Sequence, residues 1–259
     1  MDPKEVVREL SRWIHVFAGI TWIGHLYFFN WVNGPFAATM DAETKKKVVP
    51  ELMPRALFWF RWGAAFTWIT GVILLGMVYY MNSTGVKDGQ WTGQSYATVA
   101  LVFVAPFLYD LLASGPLKDP TKAFFGGGIL ASIVFFIFKL VGLMTFRGAA
   151  IHTGAMFGTI MAYNVWFRIW PNQQKIITAI KNGEAPDAAL VGTAGLRSKH
   201  NTFMSVPLIF AMLSTHETWA AGADGGALSS GDLIFPAMIF VGFALCYHMY
   251  KIAPKVKGF

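Results

Sequence analysis

The sequence of 259 residues is poor in charge and almost free of cysteine. Asp, Glu, Lys and Arg together make up only 14% of the residues, whereas 55% are hydrophobic and 16% aromatic. Soluble domains carry about 25% charged residues, so this composition argues against one and indicates an integral membrane protein. The single cysteine, Cys246, excludes an internal disulfide and a C-x-x-C-H motif. What is abundant instead is apolar sequence, with a mean hydropathy of +0.47.

Long apolar runs predict an all-α fold, a polytopic transmembrane helical bundle. A helix needs about 20 apolar residues to cross the hydrocarbon core, and several runs approach or exceed that length. We predict about seven spans because seven such runs are bounded by charge, glycine or proline. They cover residues 13–32, 57–81, 96–114, 124–146, 149–170, 202–219 and 233–250.

The polar segment between the fifth and sixth spans is the longest interruption. It reads PNQQKIITAIKNGEAPDAALVGTAGLRSK, is basic, and has amphipathic spacing in its first half. This pattern predicts a short surface helix that lies along the membrane. The spans follow one another closely enough to form a single integral membrane domain over residues 1–259.

The distribution of basic residues predicts the orientation, because cytoplasmic loops carry an excess of Lys and Arg. With the amino terminus outside and the carboxyl terminus in the cytoplasm, few basic residues remain outside, and the net charge of +7 follows from topology. Spread over separate loops, these residues form no binding stripe, so no nucleic-acid partner is expected. The inner set is Lys45, Lys46, Lys47, Arg55, Lys118, Lys122, Lys175, Lys181, Arg197, Lys199, Lys251, Lys255 and Lys257.

Six histidines fall at two depths in this oriented bundle. At 1.5 Å per residue, three of them reach a layer just inside the outer edge, each from a different span. The other three lie toward the inner side. The outer group is His15, His152 and His216, and the inner group is His25, His200 and His248.

Imidazoles at matched depth in apolar helices favour non-covalent b-type haem. A histidine inside a bundle is costly unless it is hydrogen-bonded or bound to a metal, and paired histidines are axial ligands of haem. Candidate ligands, for one or two haems, are His15, His152, His216, His25 and His200. Arg12 and Arg147 lie near the outer group and are candidates to neutralise haem propionates. A histidine-rich copper site at His15, His152 and His216 is the alternative.

Two further charges lie inside predicted spans. Lys139 either extends outward to the interface or binds an anion within the bundle. Asp110 lies toward the inner edge, at the depth of Arg61, and we expect these two residues to pair.

Several stretches carry a family resemblance. They read RWIHVFAGITWIG, ELMPRALFWFRWGAAFTWITG, RGAAIHTGAMFGTIMAYNVWFRIWPNQ and GLRSKHNTFMSVPLIFAMLSTH. The chain resembles, over nearly its whole length, the membrane domain of bacterial membrane-bound urate hydroxylases, known as the urate oxidase N-terminal domain. His15, His152, His200 and His216 fall inside the matching stretches.

The resemblance implies an oxidoreductase of the bacterial inner membrane that oxidises urate towards 5-hydroxyisourate. In that family a C-terminal cytochrome c domain takes the electrons, but this sequence has no C-x-x-C-H motif. We therefore expect a separate cytochrome c or other periplasmic redox protein as partner, with Lys139 or Arg147 steering the anionic substrate. The alternative is a haem-bearing electron-transfer subunit of a larger complex, without urate activity, that exchanges electrons with quinone.

Overall fold

The computed structural model describes residues 2–215 and 230–256, and in these residues the fold is all-helical. No β-strand forms there, and the nearest approach is an isolated bridge between Val86 and Met144. The nine α-helices of the described ranges are α1 (Pro3–Tyr27), α2 (Gly34–Thr39), α3 (Ala42–Leu74), α4 (Gly93–Ser114), α5 (Pro120–Phe136), α6 (Phe146–Asn164), α7 (Trp170–Asn182), α8 (Ala188–Ser214) and α9 (Ser230–Ile252).

Side-chain caps set the starts of most of these helices. The first backbone N–H groups of a helix have no partner within it, and an Asp, Ser or Thr just before the helix accepts a hydrogen bond from one of them. Thr92 also forms a capping box with Ser95 at the start of α4. The capping residues are Asp2, Asp41, Thr92, Asp119, Thr145 and Asp187.

Four π-helical turns extend the helices beyond their α segments. They are Phe28–Asn33, Leu75–Tyr80, Ile137–Val141 and Val165–Ile169. The last of these joins α6 to α7 without a break, so the helix runs from Phe146 to Asn182. A π turn shifts the hydrogen-bond register, which accommodates Pro171, a residue that cannot donate a backbone hydrogen bond.

The helix predicted for the polar segment is confirmed, but it is not a separate element. Its amphipathic stretch is α7, which continues α6 and packs against α3 and α8 with Ile176 and Ile177 buried. The apolar face that we assigned to lipid lies instead against protein. The helix α7 ends at Gly183, whose φ of 77° is the left-handed conformation that favours glycine after a helix.

Four helices of the described residues are long and apolar enough to cross a membrane. These segments are Ala42–Tyr80, Gly93–Ser114, Pro120–Val141 and Ser230–Lys255. α6 lies at the centre of the bundle, in contact with α3, α4, α5 and α8, and most of its side chains are buried. Polar residues such as Thr153 and Asn164 are tolerated there because other helices shield them from the surroundings.

α1 and α3 form the largest helix pair, and a small residue allows their close approach. A Cβ on Gly63 of α3 would lie 3.0 Å from the backbone nitrogen of Trp22 on α1. Without a hydrophobic driving force in lipid, such close backbone packing is a main source of helix association. This pair positions His15 of α1 against Thr67 and Thr70 of α3.

Candidate functional site

His152 lies fully buried near the start of α6 with both ring nitrogens hydrogen-bonded. Its Nδ1 is 2.7 Å from the carbonyl oxygen of Gly148, and its Nε2 is 3.0 Å from the hydroxyl of Tyr80. A carbonyl only accepts, so Nδ1 carries the hydrogen and Nε2 accepts from Tyr80. The rings of Trp91 and Phe138 pack around the imidazole. Because both ring nitrogens of His152 take part in these hydrogen bonds, neither is left for a metal.

Tyr80→Phe is expected to lower the free energy of unfolding by about 1 kcal/mol, because His152 Nε2 would lose its donor while staying buried. Thermal unfolding of the detergent-purified variant measures this change. Tyr96→Phe is the matched control, since Tyr96 stacks on the same Trp91 but is 54% exposed. Equal stability of the two variants would contradict the hydrogen bond.

His15 contacts α3, whereas His152 contacts the π turn that follows α3. Its Nδ1 lies 2.9 Å from the carbonyl oxygen of Thr67 and 3.2 Å from the hydroxyl of Thr70. Thr70 and Tyr80 are ten residues apart in one continuous helix, or about 15 Å along its axis. The structure thus does not bring His15 and His152 together in one layer.

The third residue predicted for the outer group, His216, lies outside the described residues. In the ranges that the structure does describe, no three His, Cys, Asp or Glu side chains are grouped so that they could hold a metal ion. The sequence prediction of a shared site among the three imidazoles remains a prediction.

The predicted anion-binding cations have different surroundings. Arg12 is exposed and pairs with Glu9, with 2.7 Å between Nη1 and Oε1. Lys139 does not reach the interface: it is fully buried, and its Nζ lies 3.3 Å from Oδ1 of Asp232 on α9, which is buried as well. The predicted outward extension of Lys139 is therefore wrong, and the anion that its ammonium binds within the bundle is a carboxylate from a distant part of the chain.

Arg147 differs from these two cations. It lies in the first turn of α6, partly buried, and its Nε is enclosed without a hydrogen-bond partner. No acidic side chain of the described residues pairs with it. Among the described residues, the side-chain partner of its guanidinium is the Tyr79 hydroxyl and not a carboxylate.

The predicted partner of Asp110 was also wrong. Asp110 binds Arg168 through two hydrogen bonds, with 2.8 Å from Nε to Oδ1, and it pairs with Arg197 at 2.9 Å. Arg61 instead stacks on Trp170, with the guanidinium carbon 4.0 Å from the ring centroid. The depth predicted from the sequence could not tell which of the three arginines at one end of the bundle pairs with Asp110.

The inner histidines are placed on different helices. His25 Nδ1 lies 2.7 Å from the carbonyl oxygen of Thr21, one turn earlier on α1. His200 on α8 lies 2.9 Å, through Nδ1, from the hydroxyl of Tyr109 on α4. Neither contact links the two imidazoles to each other.

A chain of hydrogen-bonded polar side chains is connected to His200 through Tyr109. The amide of Asn201 donates to the carbonyl oxygen of Met161 at 3.0 Å, and the amide of Asn164 donates to Asn201 at 2.8 Å. The second hydrogen of Asn164 bonds to the Tyr109 hydroxyl at 3.2 Å. Sequence reasoning missed Tyr109, Asn164 and Asn201. The available signal was Asn164 within an apolar run, in MAYNVWF, whereas Asn201 lies just before the sixth predicted span.

Tyr109 and His200 line a cavity of about 680 Å³ that we call the α5 cavity. It lies between α5 and the helices α4, α6, α8 and α9. Its wall is mainly aliphatic and aromatic, and its polar side chains are Tyr109, Lys118, Thr121, Lys199, His200 and Tyr247. Its volume falls within the range of about 300–1,000 Å³ that is typical of ligand sites.

Comparison with protein families gives one match. Residues 40–254 match the family described as urate oxidase N-terminal, a range that contains α3 to α9 and all of the α5 cavity. No curated protein and no solved structure matches the chain.

Proposed function

Since the chain belongs to the urate oxidase N-terminal family, we propose that it is a membrane-embedded oxidoreductase that oxidises urate. In this reaction urate and water yield 5-hydroxyisourate, two protons and two electrons. The family match is the observation that carries the proposal. The membrane-like helices and the buried polar groups near α6 and α8 support it.

The proposed topology has seven spans in the bacterial inner membrane. α1, α6 and α8 are the three added to the four apolar segments, because each is long and packs against those segments. The amino terminus lies outside and the carboxyl terminus in the cytoplasm, since Lys118, Lys122 and the lysines that precede Pro50 then all face inward.

Arg147 is the proposed contact for urate, which is an anion at neutral pH. A guanidinium presents several donors in a fixed plane, suited to the carbonyl oxygens of a flat anion. The Nε of Arg147 is enclosed without a partner, whereas Arg12 and Lys139 pair with carboxylates. This difference in pairing supports Arg147 over the other two.

Arg147→Gln is expected to raise the KM for urate at least about tenfold, because a charged hydrogen bond contributes about 1.5–3 kcal/mol to binding. The value of kcat should change little if the contact is the same in the ground and transition states. Initial rates of urate loss with ferricyanide as acceptor measure both constants. Arg12→Gln is the control, and an equal effect of both changes would contradict the role of Arg147.

Haem b is proposed as the electron carrier, and the described residues fit it incompletely. An imidazole that ligates a metal usually has its other nitrogen bonded to a carbonyl or carboxylate, as His15 Nδ1 is to Thr67 and His25 Nδ1 to Thr21. His152 does not fit, because Tyr80 occupies its Nε2. When bound, haem would supply one-electron transfer, and no step is assigned to it beyond that.

A reduced visible spectrum and a haem-to-protein ratio test the carrier. We expect haem to be reduced by urate under anaerobic conditions, and we expect His15→Ala to lower the haem content. His248→Ala is the control, because His248 is exposed on α9. Protein without haem that still oxidises urate would remove haem from the proposal and leave the urate reaction standing.

The second candidate function is an electron-transfer subunit of a larger complex that has no urate activity. The α5 cavity favours it, because an apolar wall cannot satisfy the many polar groups of urate. Such a subunit would exchange electrons with a cytochrome c or other periplasmic protein. Reduction by a quinol together with no response to urate would favour this function over urate oxidation.

A further inference from the structure

We propose that the α5 cavity binds an isoprenoid quinone, which takes the two electrons released by urate oxidation. The inference rests on the proposed function for the source of the electrons, but the binding site stands on its own geometry. Quinone gains two electrons and two protons and becomes quinol. Urate and water supply both as 5-hydroxyisourate forms, so atoms and charge balance.

The polar chain behind His200 determines which ring nitrogen carries the hydrogen. A backbone carbonyl only accepts, so the Asn201 amide nitrogen must face Met161, and its side-chain oxygen must accept from Asn164. The Asn164 NH₂ group therefore faces both Asn201 and Tyr109, and it donates to the Tyr109 oxygen. Each orientation follows from the previous one, starting at a group with no alternative.

Tyr109 extends this series of directed hydrogen bonds to His200. We assign the Tyr109 hydrogen to His200 Nδ1, 2.9 Å away, because the Tyr109 oxygen already accepts from Asn164. A neutral His200 then carries its hydrogen on Nε2. The imidazole N–H lies on the wall of the α5 cavity, where the backbone carbonyl of Leu117 is one acceptor for it. A ligand that competes for this hydrogen has an acceptor such as a quinone carbonyl.

The rest of the cavity suits a long apolar molecule. Its wall is formed mainly by aliphatic and aromatic side chains, and its volume of about 680 Å³ exceeds what a small polar substrate needs. Leu108, Phe125 and Leu130 line it and are also exposed, by 53%, 56% and 43%. The cavity therefore opens sideways between membrane-crossing helices, where a molecule dissolved in lipid can enter.

The chain offers a matched pair of substitutions for the test. Gly127 lines the cavity, and a Cβ added there meets no atom within 4 Å, so we expect Gly127→Leu to fill part of the cavity. Gly24 on α1 is equally open but does not line the cavity, so Gly24→Leu is the control. Both replace a helical glycine by a good helix former, so their effects on folding should be alike.

Binding is measured on the full chain in nanodiscs of quinone-free phosphatidylcholine, with an azido-quinone as photo-label and decylubiquinone as competitor. We expect saturable labelling of α4 or α5 peptides, at least tenfold weaker in Gly127→Leu and unchanged in Gly24→Leu. Unsaturable labelling, or equal labelling of the two variants, would overturn the proposal. A tightly bound phospholipid or haem in the cavity that decylubiquinone does not displace would overturn it too.

Tyr109→Phe tests the positioning role of the polar chain. Without the phenol, His200 can carry its hydrogen on either nitrogen, and the preference for an acceptor ligand is lost. We expect the ratio of quinone to quinol affinity to fall about tenfold, a change that a merely structural role would not produce. An unchanged ratio would contradict the assigned donor.

Turnover separates this inference from the proposed function. Urate oxidation is followed with decylubiquinone and, separately, with ferricyanide, which needs no cavity. Gly127→Leu should lose the first activity and keep the second. Ferricyanide reduction without any quinone binding would defeat the quinone site alone, whereas quinone binding without urate oxidation by either acceptor would defeat the urate reaction alone.

Discussion

Lys139→Leu is expected to lower the free energy of unfolding by about 3–5 kcal/mol, the largest effect of any single change considered. Lys139 and Asp232 are both fully buried, with 3.3 Å between their charged atoms. Removing one partner leaves the other charge in a medium of low dielectric constant, and that uncompensated charge is the main cost. Because the pair joins the end of α5 to α9, the packing of these helices should weaken together.

Thermal unfolding in detergent measures the loss, and two comparisons make it specific. Lys122→Leu removes an exposed lysine from the first turn of the same helix and should have little effect. The double variant Lys139→Leu with Asp232→Leu should recover most of the stability, since it removes both charges. If Lys139→Leu melted at the same temperature as Lys122→Leu, the buried pair would be refuted.

Gly148→Ala is expected to cost about 3 kcal/mol or more. A Cβ at this position would lie 2.0 Å from the carbonyl oxygen of Gly85, so the first turn of α6 must move away from the loop before α4. The hydrogen bond from the Thr145 N–H to that same oxygen, at 3.1 Å, would be lost as well. The shift also displaces the carbonyl to which His152 donates.

Gly158→Ala provides the control on the same helix. Its Cβ would meet Leu208 at 3.5 Å, an ordinary contact, so the helix should gain slightly in stability from the better helix former. The yield of monodisperse protein and its melting temperature measure both variants. Comparable stability of the two would show that α6 does not approach Gly85 closely.

Buried polar contacts could be located only in part from the sequence. The depth of Asp110 was visible from its place in an apolar run, but its partners Arg168 and Arg197 lie on helices far along the chain. Helical rise gives depth and does not tell which side chains of neighbouring helices face each other. The same limit applies to His15 and His152, which were predicted at similar depths. Their partners, Thr70 on α3 and Tyr80 in the π turn that follows it, are ten residues apart.

The amphipathic segment shows a second limit. An apolar stripe at helical spacing has the same pattern whether it faces lipid or a neighbouring helix. The π turn at Val165–Ile169 lets the chain continue past Pro171, and α7 therefore packs on α3 and α8. The fifth predicted span ends just before Pro171, because a proline bounds a helical run and sequence patterns do not reveal a π turn.

By itself the sequence determined that this is a helical protein of the urate oxidase N-terminal family with helices suited to a membrane, because composition and apolar run length are properties of the chain alone. Only the tertiary structure decided that Lys139 pairs with Asp232 and that the Tyr80 hydroxyl bonds to His152 Nε2. It also decided that Asn164 and Tyr109 orient His200 beside the α5 cavity. Each of these contacts joins residues of separate helices, and their distances depend on how those helices rotate and cross.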